Sequence, residues 1–177
     1  MILNEMKELE DAKQELAKLD SEFSREFLKD KQRIFEELKE EFKSFITEGG
    51  FSLTARGGTL VGEYGTAKLE LEFPKLEAFW AGGVTFLKFT ATNQRMAWDI
   101  LILNKASANS GVSVTSITNT GIAGELEATK QSIERRKKRL PYTAIDYEVC
   151  YAPNGANRSA RVTVPSLKEA LTNILAS

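Results

Sequence analysis

The side chains best suited to chemistry cluster late in the chain, around its one cysteine. In the segment 145–151, Asp146, Glu148 and Cys150 alternate with Ile145, Tyr147, Val149 and Tyr151. On a strand this period of two places both carboxylates and the thiol on one face. Neighbouring carboxylates disfavour a thiolate, the form that attacks as a nucleophile, so the segment reads as a passive thiol. Asp146 and Glu148 also offer oxygen ligands to a divalent cation. Such a cation takes about six ligands or more, and the sequence supplies no others nearby. Asp99, beside Trp98, is an equally isolated carboxylate. The chain contains no histidine. That removes Ser-His-Asp and Cys-His catalysis, imidazole zinc ligation and histidine proton shuttles together.

Two further motifs invite a ligand. Gly57, Gly58, Gly62 and Gly65 crowd a short span, but no Gly-Lys-Ser/Thr follows to open a helix, so they read as turn residues between strands. The run Arg135, Arg136, Lys137, Lys138, Arg139 is a candidate contact for phosphate or an acidic partner. It closes a helix that opens on Glu125 and Glu127, a polarity that complements the helix dipole without any ligand. No aromatic residues interleave the bases, as stacking on single-stranded nucleic acid would need. Phe79-Trp80-Ala81-Gly82-Gly83 is either a partner-binding loop or a lid on the core, and the core reading is slightly favoured.

The elements that must position these groups are legible in the spacing. From Met1 to Ile46 there is no proline or glycine. Apolar residues recur at Ile2, Met6, Leu9, Ala12, Leu16, Leu19, Phe23, Phe27, Ile34, Leu38, Phe42 and Phe45, mostly in steps of three and four. This predicts one amphipathic helix, stopped by Gly49-Gly50, that would extend ~65–70 Å. The first half has a slim aliphatic seam like a coiled coil; the second, rich in phenylalanine, suits packing on a sheet. Asp30 and Lys31 break the stripe. Beyond Gly50 the composition turns to β-formers. Strands are predicted over 51–56 and 59–64 around Gly57-Gly58, over 67–73 by clean alternation, and over 84–90 and 111–118. Residues 93–108 are ambiguous: Met96, Ile100 and Leu103 fit a helix that Thr92 or Asn93 could cap, while Ile100 to Leu103 alone fit a buried strand, and the helix is favoured. A helix over 122–140, a hairpin of 142–151 with 160–164, and a closing helix behind the capping box Ser166-Leu167-Lys168-Glu169 complete the chain.

The expected fold is therefore α+β: a long N-terminal coiled-coil-like helix, then a mostly antiparallel sheet with two or three packed helices. The expected division is an extended arm over 1–48 and an α+β body over 51–177. The arm carries nine Lys/Arg against fourteen Asp/Glu, net −5, and the rest of the chain is net +4. An acidic arm on a mildly basic body favours docking or self-association and disfavours the arm lying along DNA. A lone cysteine and an acidic start without an apolar leader point to a reducing, cytoplasmic setting. No run approaches the ~18 apolar residues that span a bilayer, so no membrane association is expected.

No cofactor or metal is implied. The favoured function is a non-enzymatic interaction protein that forms a homodimer, or grips a protein partner, through Met6, Leu9, Leu16, Leu19 and Phe23, with the β-rich body as recognition module. A nucleic-acid-associated dimer using Arg135 to Arg139 is the alternative, and a carboxylate- or metal-dependent enzyme comes third.

Overall fold

The computed structural model describes residues 2–106 and 121–177. Its elements are α1 (Ile2–Glu48), β1 (Ser52–Arg56), β2 (Thr59–Tyr64), β3 (Ala67–Glu72), β4 (Thr85–Ala91), β5 (Trp98–Asn104), α2 (Ile122–Lys137), β6 (Tyr147–Pro153), β7 (Val162–Val164) and α3 (Leu167–Ala176). This is an α+β fold. The strand expected over Gly111–Thr118 lies outside the described residues.

The strands form one antiparallel seven-stranded sheet in chain order, β1 to β7. β3 keeps the predicted alternation: Leu69 and Leu71 are buried, while Lys68, Glu70 and Glu72 are not. Two residues, Gly57 and Gly58, join β1 to β2, and Gly57 takes a positive φ of 60°, the left-handed geometry that tight hairpins require. The helix expected over 93–108 is corrected to strand: Trp98–Asn104 is β5, hydrogen-bonded between β4 and β6. Ile100, Leu101 and Ile102 are all buried, so the strand is covered on both faces. Such a strand shows a continuous apolar run rather than alternation, which is why the spacing misleads. The hairpin of β6 and β7 forms as expected, although its first strand starts at Tyr147 rather than Tyr142, and α2 ends at Lys137, short of Leu140.

The described residues fall into two compact units that part inside α1, between Asp30 and Lys31, where the apolar stripe is interrupted. One, here called the sheet unit, comprises residues 31–106 and 145–177. Its core joins Ile34, Leu38 and Phe42 of α1 to Leu87 and Ile100 of the sheet and Leu171 of α3. β2 passes so close to α1 that a Cβ on Gly62 would lie 2.5 Å from Ile46 Cδ1. The capping box holds: Ser166 Oγ accepts the Glu169 N–H at 3.2 Å. Two further open N–H groups of α3, on Leu167 and Lys168, donate to Glu41 of α1 at 2.9 and 3.3 Å. The first-turn donors of that helix are thus satisfied by side chains.

The other unit is helical and comprises residues 2–30 and 121–144. Here α1 and α2 run side by side in the same direction. Glu125 and Lys130, in the first half of α2, pair with Lys13 and Glu8, Arg136 near its end pairs with Asp20, and beyond α2 Tyr142 meets Phe23 with ring centroids 5.4 Å apart. Leu9 and Ala12 are buried against Leu126 and Ile133, with Leu16, Leu19 and Ile122 packed around them. Among the described residues no helix is long and apolar enough to cross a membrane.

Candidate interaction surfaces

Much of the N-terminal stripe meets the chain's own second helix. Leu9 is buried and Leu16 and Leu19 are half-buried against α2. Phe23 is half-buried and contacts Tyr142, Phe27 at 6.5 Å and the Arg136 guanidinium, 4.6 Å from its ring centroid. The covering thins toward the start of α1. Met6 is 50% exposed, and Ile2 and Leu3 are 65% and 80% exposed. The stripe therefore ends in three uncovered apolar side chains. Leu3, off the regular spacing, was not distinguishable in sequence as part of this surface.

Two residues of the basic run pair with α1. Arg136 pairs with Asp20 at 2.5 Å and Lys137 with Glu15 at 2.8 Å, while about two turns earlier in α2 Lys130 pairs with Glu8 at 2.6 Å. The Lys137 ammonium is held above the usual lysine range by its bond to Glu15. Exposed pairs of this kind contribute little individually, so they select which faces of the helices meet more than they stabilise the contact. The charge asymmetry of the sequence is thus matched inside the helical unit. Arg135, Lys138 and Arg139 lie on its exposed side.

In the sheet unit, a groove of about 690 Å³ opens beside the last turn of α1. Phe45, Phe51, Leu69 and Leu175 form its apolar walls, and Lys68, Lys168 and Glu48 stand at its rim. Lys168 pairs with Glu48, and that bond, with one from Ser44, holds the Glu48 carboxyl below its usual range. Lys68 is bound by Glu70 at 2.7 Å. Concave apolar walls with a few charged groups at the edge are the usual make-up of a recognition site. No spacing in the sequence singles out these residues, because they come from α1, the turn that follows it, β3 and α3.

The loop 74–83 resolves the Phe-Trp motif into two roles. Trp80 folds back edge-to-face on Phe86, with centroids 5.8 Å apart, and lies against Gly82 and Gly83. Phe79 is 90% exposed. The loop is tied down by Lys31, whose ammonium donates to the Ala78 carbonyl at 2.7 Å and lies 5.7 Å from the Phe35 ring. Lys31 is only 2% exposed. Burial pushes its pKa below the usual lysine value of 10.5, against an opposing pull from Glu77.

Between the lowered folded-state pKa of Lys31 and 10.5, the unfolded chain holds a proton that the folded chain has released, so stability rises with pH through this window. Lys31→Met keeps the stem and removes the charge, and Ala78 is exposed enough for water to replace the lost donor. The variant is expected to be at least as stable as the parent at pH 7 in urea titrations, with its advantage shrinking as pH approaches 10.5. A variant less stable by the same amount at every pH would show that the bond to Ala78 outweighs the cost of burial.

The remaining sequence candidates are kept apart. Cys150 is buried, with Sγ 3.2 Å from Thr163 Oγ1. Asp146 pairs with Lys105 at 2.9 Å. Asp99 accepts from the Asn154 side chain at 2.9 Å and thereby braces the turn after β6. Among the described residues there is no group of three or more His, Cys, Asp or Glu able to hold a metal ion. Comparison of the chain with models of known families, with curated proteins and with solved structures returns no match.

Proposed function

We propose that this is a non-enzymatic interaction protein that associates through the N-terminal helix, with the sheet unit as its recognition module. The observation that carries this reading is the uncovered end of the stripe at Ile2, Leu3 and Met6. Helices gain most of their stability from a packed apolar face. A helix whose stripe continues past the reach of α2 offers that face to another helix. A second copy of the chain is the simplest supply, and a twofold homodimer with a short coiled-coil contact is the commonest form such an assembly takes. The groove in the sheet unit gives the module a place for an apolar side chain of a partner protein. A buried free thiol suits a reducing, cytoplasmic setting.

The basic run supports the nucleic-acid alternative less well, since Arg136 and Lys137 are engaged by Asp20 and Glu15.

Light scattering tests the proposal. The full-length chain is expected to show a mass above that of the monomer at micromolar concentration, and Leu3→Lys with Met6→Lys is expected to lower that mass without loss of helix content. A parent that is monomeric under these conditions overturns self-association and leaves a helix of another protein as the occupant.

A further inference from the structure

We infer that β1 is a second, separate association surface, which pairs antiparallel with β1 of another copy about a twofold axis through Thr54. The sheet has two edges, and they differ. β7 is three residues long and is followed by Pro165, both devices that blunt an edge against pairing. β1 has five residues and no proline, and Arg56, at its end, is its single charge. All of its residues except Leu53 are exposed, and β2 is its one strand partner among the described residues.

The register decides which backbone groups stand open. Arg56 and Thr59 close a two-residue turn, so they form a hydrogen-bonded pair; the alternation of an antiparallel ladder makes Thr54–Val61 and Ser52–Glu63 the next two. The N–H and C=O groups of Leu53 and Ala55 therefore point away from β2. In a twofold pair centred on Thr54, Leu53 of each copy faces Ala55 of the other, and these are the residues whose groups are open. The same pairing sets the two Thr54 side chains against each other and Ser52 against Arg56. On the face turned to the core, Leu53 meets Ala55, an apolar pair. On the other face no like charges are opposed, which is the usual source of destabilising cross-strand contacts. The strand's length also picks this axis. A centre one residue earlier runs into the turn after α1, where the Phe51 N–H is already bound to the Ile46 carbonyl at 3.0 Å. A centre one residue later runs into the Gly57 turn. Only Thr54 leaves all five residues paired.

Site-directed cross-linking tests this in the full-length chain. Thr54→Cys places two thiols at a non-hydrogen-bonded pair, with Cα atoms roughly 4.5 Å apart, within the span of a disulfide. Mild oxidation is expected to convert most of this variant to a covalent dimer. Arg56→Cys alone should not cross-link, whereas Arg56→Cys mixed with Ser52→Cys should give the heterodimer. The Leu53 and Ala55 amides should also exchange hydrogen several-fold more slowly at high than at low protein concentration. Failure of Thr54→Cys to cross-link beyond the parent, equal cross-linking by Arg56→Cys alone, or exchange independent of concentration would each overturn the inference. Adding Leu3→Lys and Met6→Lys separates the two surfaces: the Thr54→Cys cross-link should persist, whatever those changes do to association through α1, and its loss would count against an independent edge.

Discussion

Phe42→Ala is expected to cost the sheet unit about 3–5 kcal/mol, the range for truncating a fully buried aromatic. Phe42 has no exposed surface and sits in the core where α1 meets the sheet. Its removal leaves a cavity beside its neighbours in this core, among which Leu38 and Ile46 lie one turn away on the same helix and are free to relax only slightly. Both tryptophans of the chain, Trp80 and Trp98, belong to the sheet unit. Urea denaturation followed by tryptophan fluorescence therefore reports on this unit. The midpoint should fall with little change in slope. A loss below ~1 kcal/mol would show that the core around Phe42 is loosely packed.

Gly62→Val is expected to destabilise the same unit by about 1–3 kcal/mol through overpacking. Backbone conformation is not the reason, since Gly62 lies in β2, where valine is otherwise favoured. The reason is proximity: besides Ile46 Cδ1, a Cβ here would meet Cγ2 and Cγ1 of Ile46 at 3.0 and 3.1 Å. The tip of an isoleucine can rotate away, but the branched carbon cannot move without shifting α1. The double variant Gly62→Val with Ile46→Ala should recover part of the loss, because the smaller helix residue vacates the space. Absence of any recovery would place the strain elsewhere in β2.

How far the fold was legible follows from which physical signal each element leaves. α1, β3 and α3 carry strong local signals: a three-and-four spacing, a strict alternation, and a capping box. Each forms where those signals place it. β5 has the opposite property. Buried on both faces, it needs no polar side, and four apolar residues in a row do not distinguish strand from helix. The partner of the N-terminal stripe was hidden for a different reason. Ile122, Leu126 and Ile133 of α2 present a matching apolar spacing, but helix pairing is a tertiary fact that no local window contains. The basic run shows the same limit: its bases are visible in sequence, while Glu8, Glu15 and Asp20, which meet that face of α2, lie over a hundred residues away. The groove was not legible at all, since its walls are assembled by the fold.

The order of the strands bears on how the chain is born. Every pairing in the sheet joins neighbours in sequence, so β1 to β5 can zip hairpin by hairpin as they leave the ribosome, the pattern of low contact order that favours fast folding. The long excursion between β5 and β6, which carries α2, adds little to the closure cost, since each doubling of a loop costs only about 0.6 kcal/mol. The helical unit keeps a different clock. Leu9 and Ala12 emerge early, and their cover, Leu126 and Ile133, is translated more than a hundred residues later. At 5–20 residues per second that is a wait of roughly 5–20 s. During that interval the first half of α1 is an unshielded amphipathic segment, exposed to chaperones and to the nascent chains of neighbouring ribosomes before its own second helix exists.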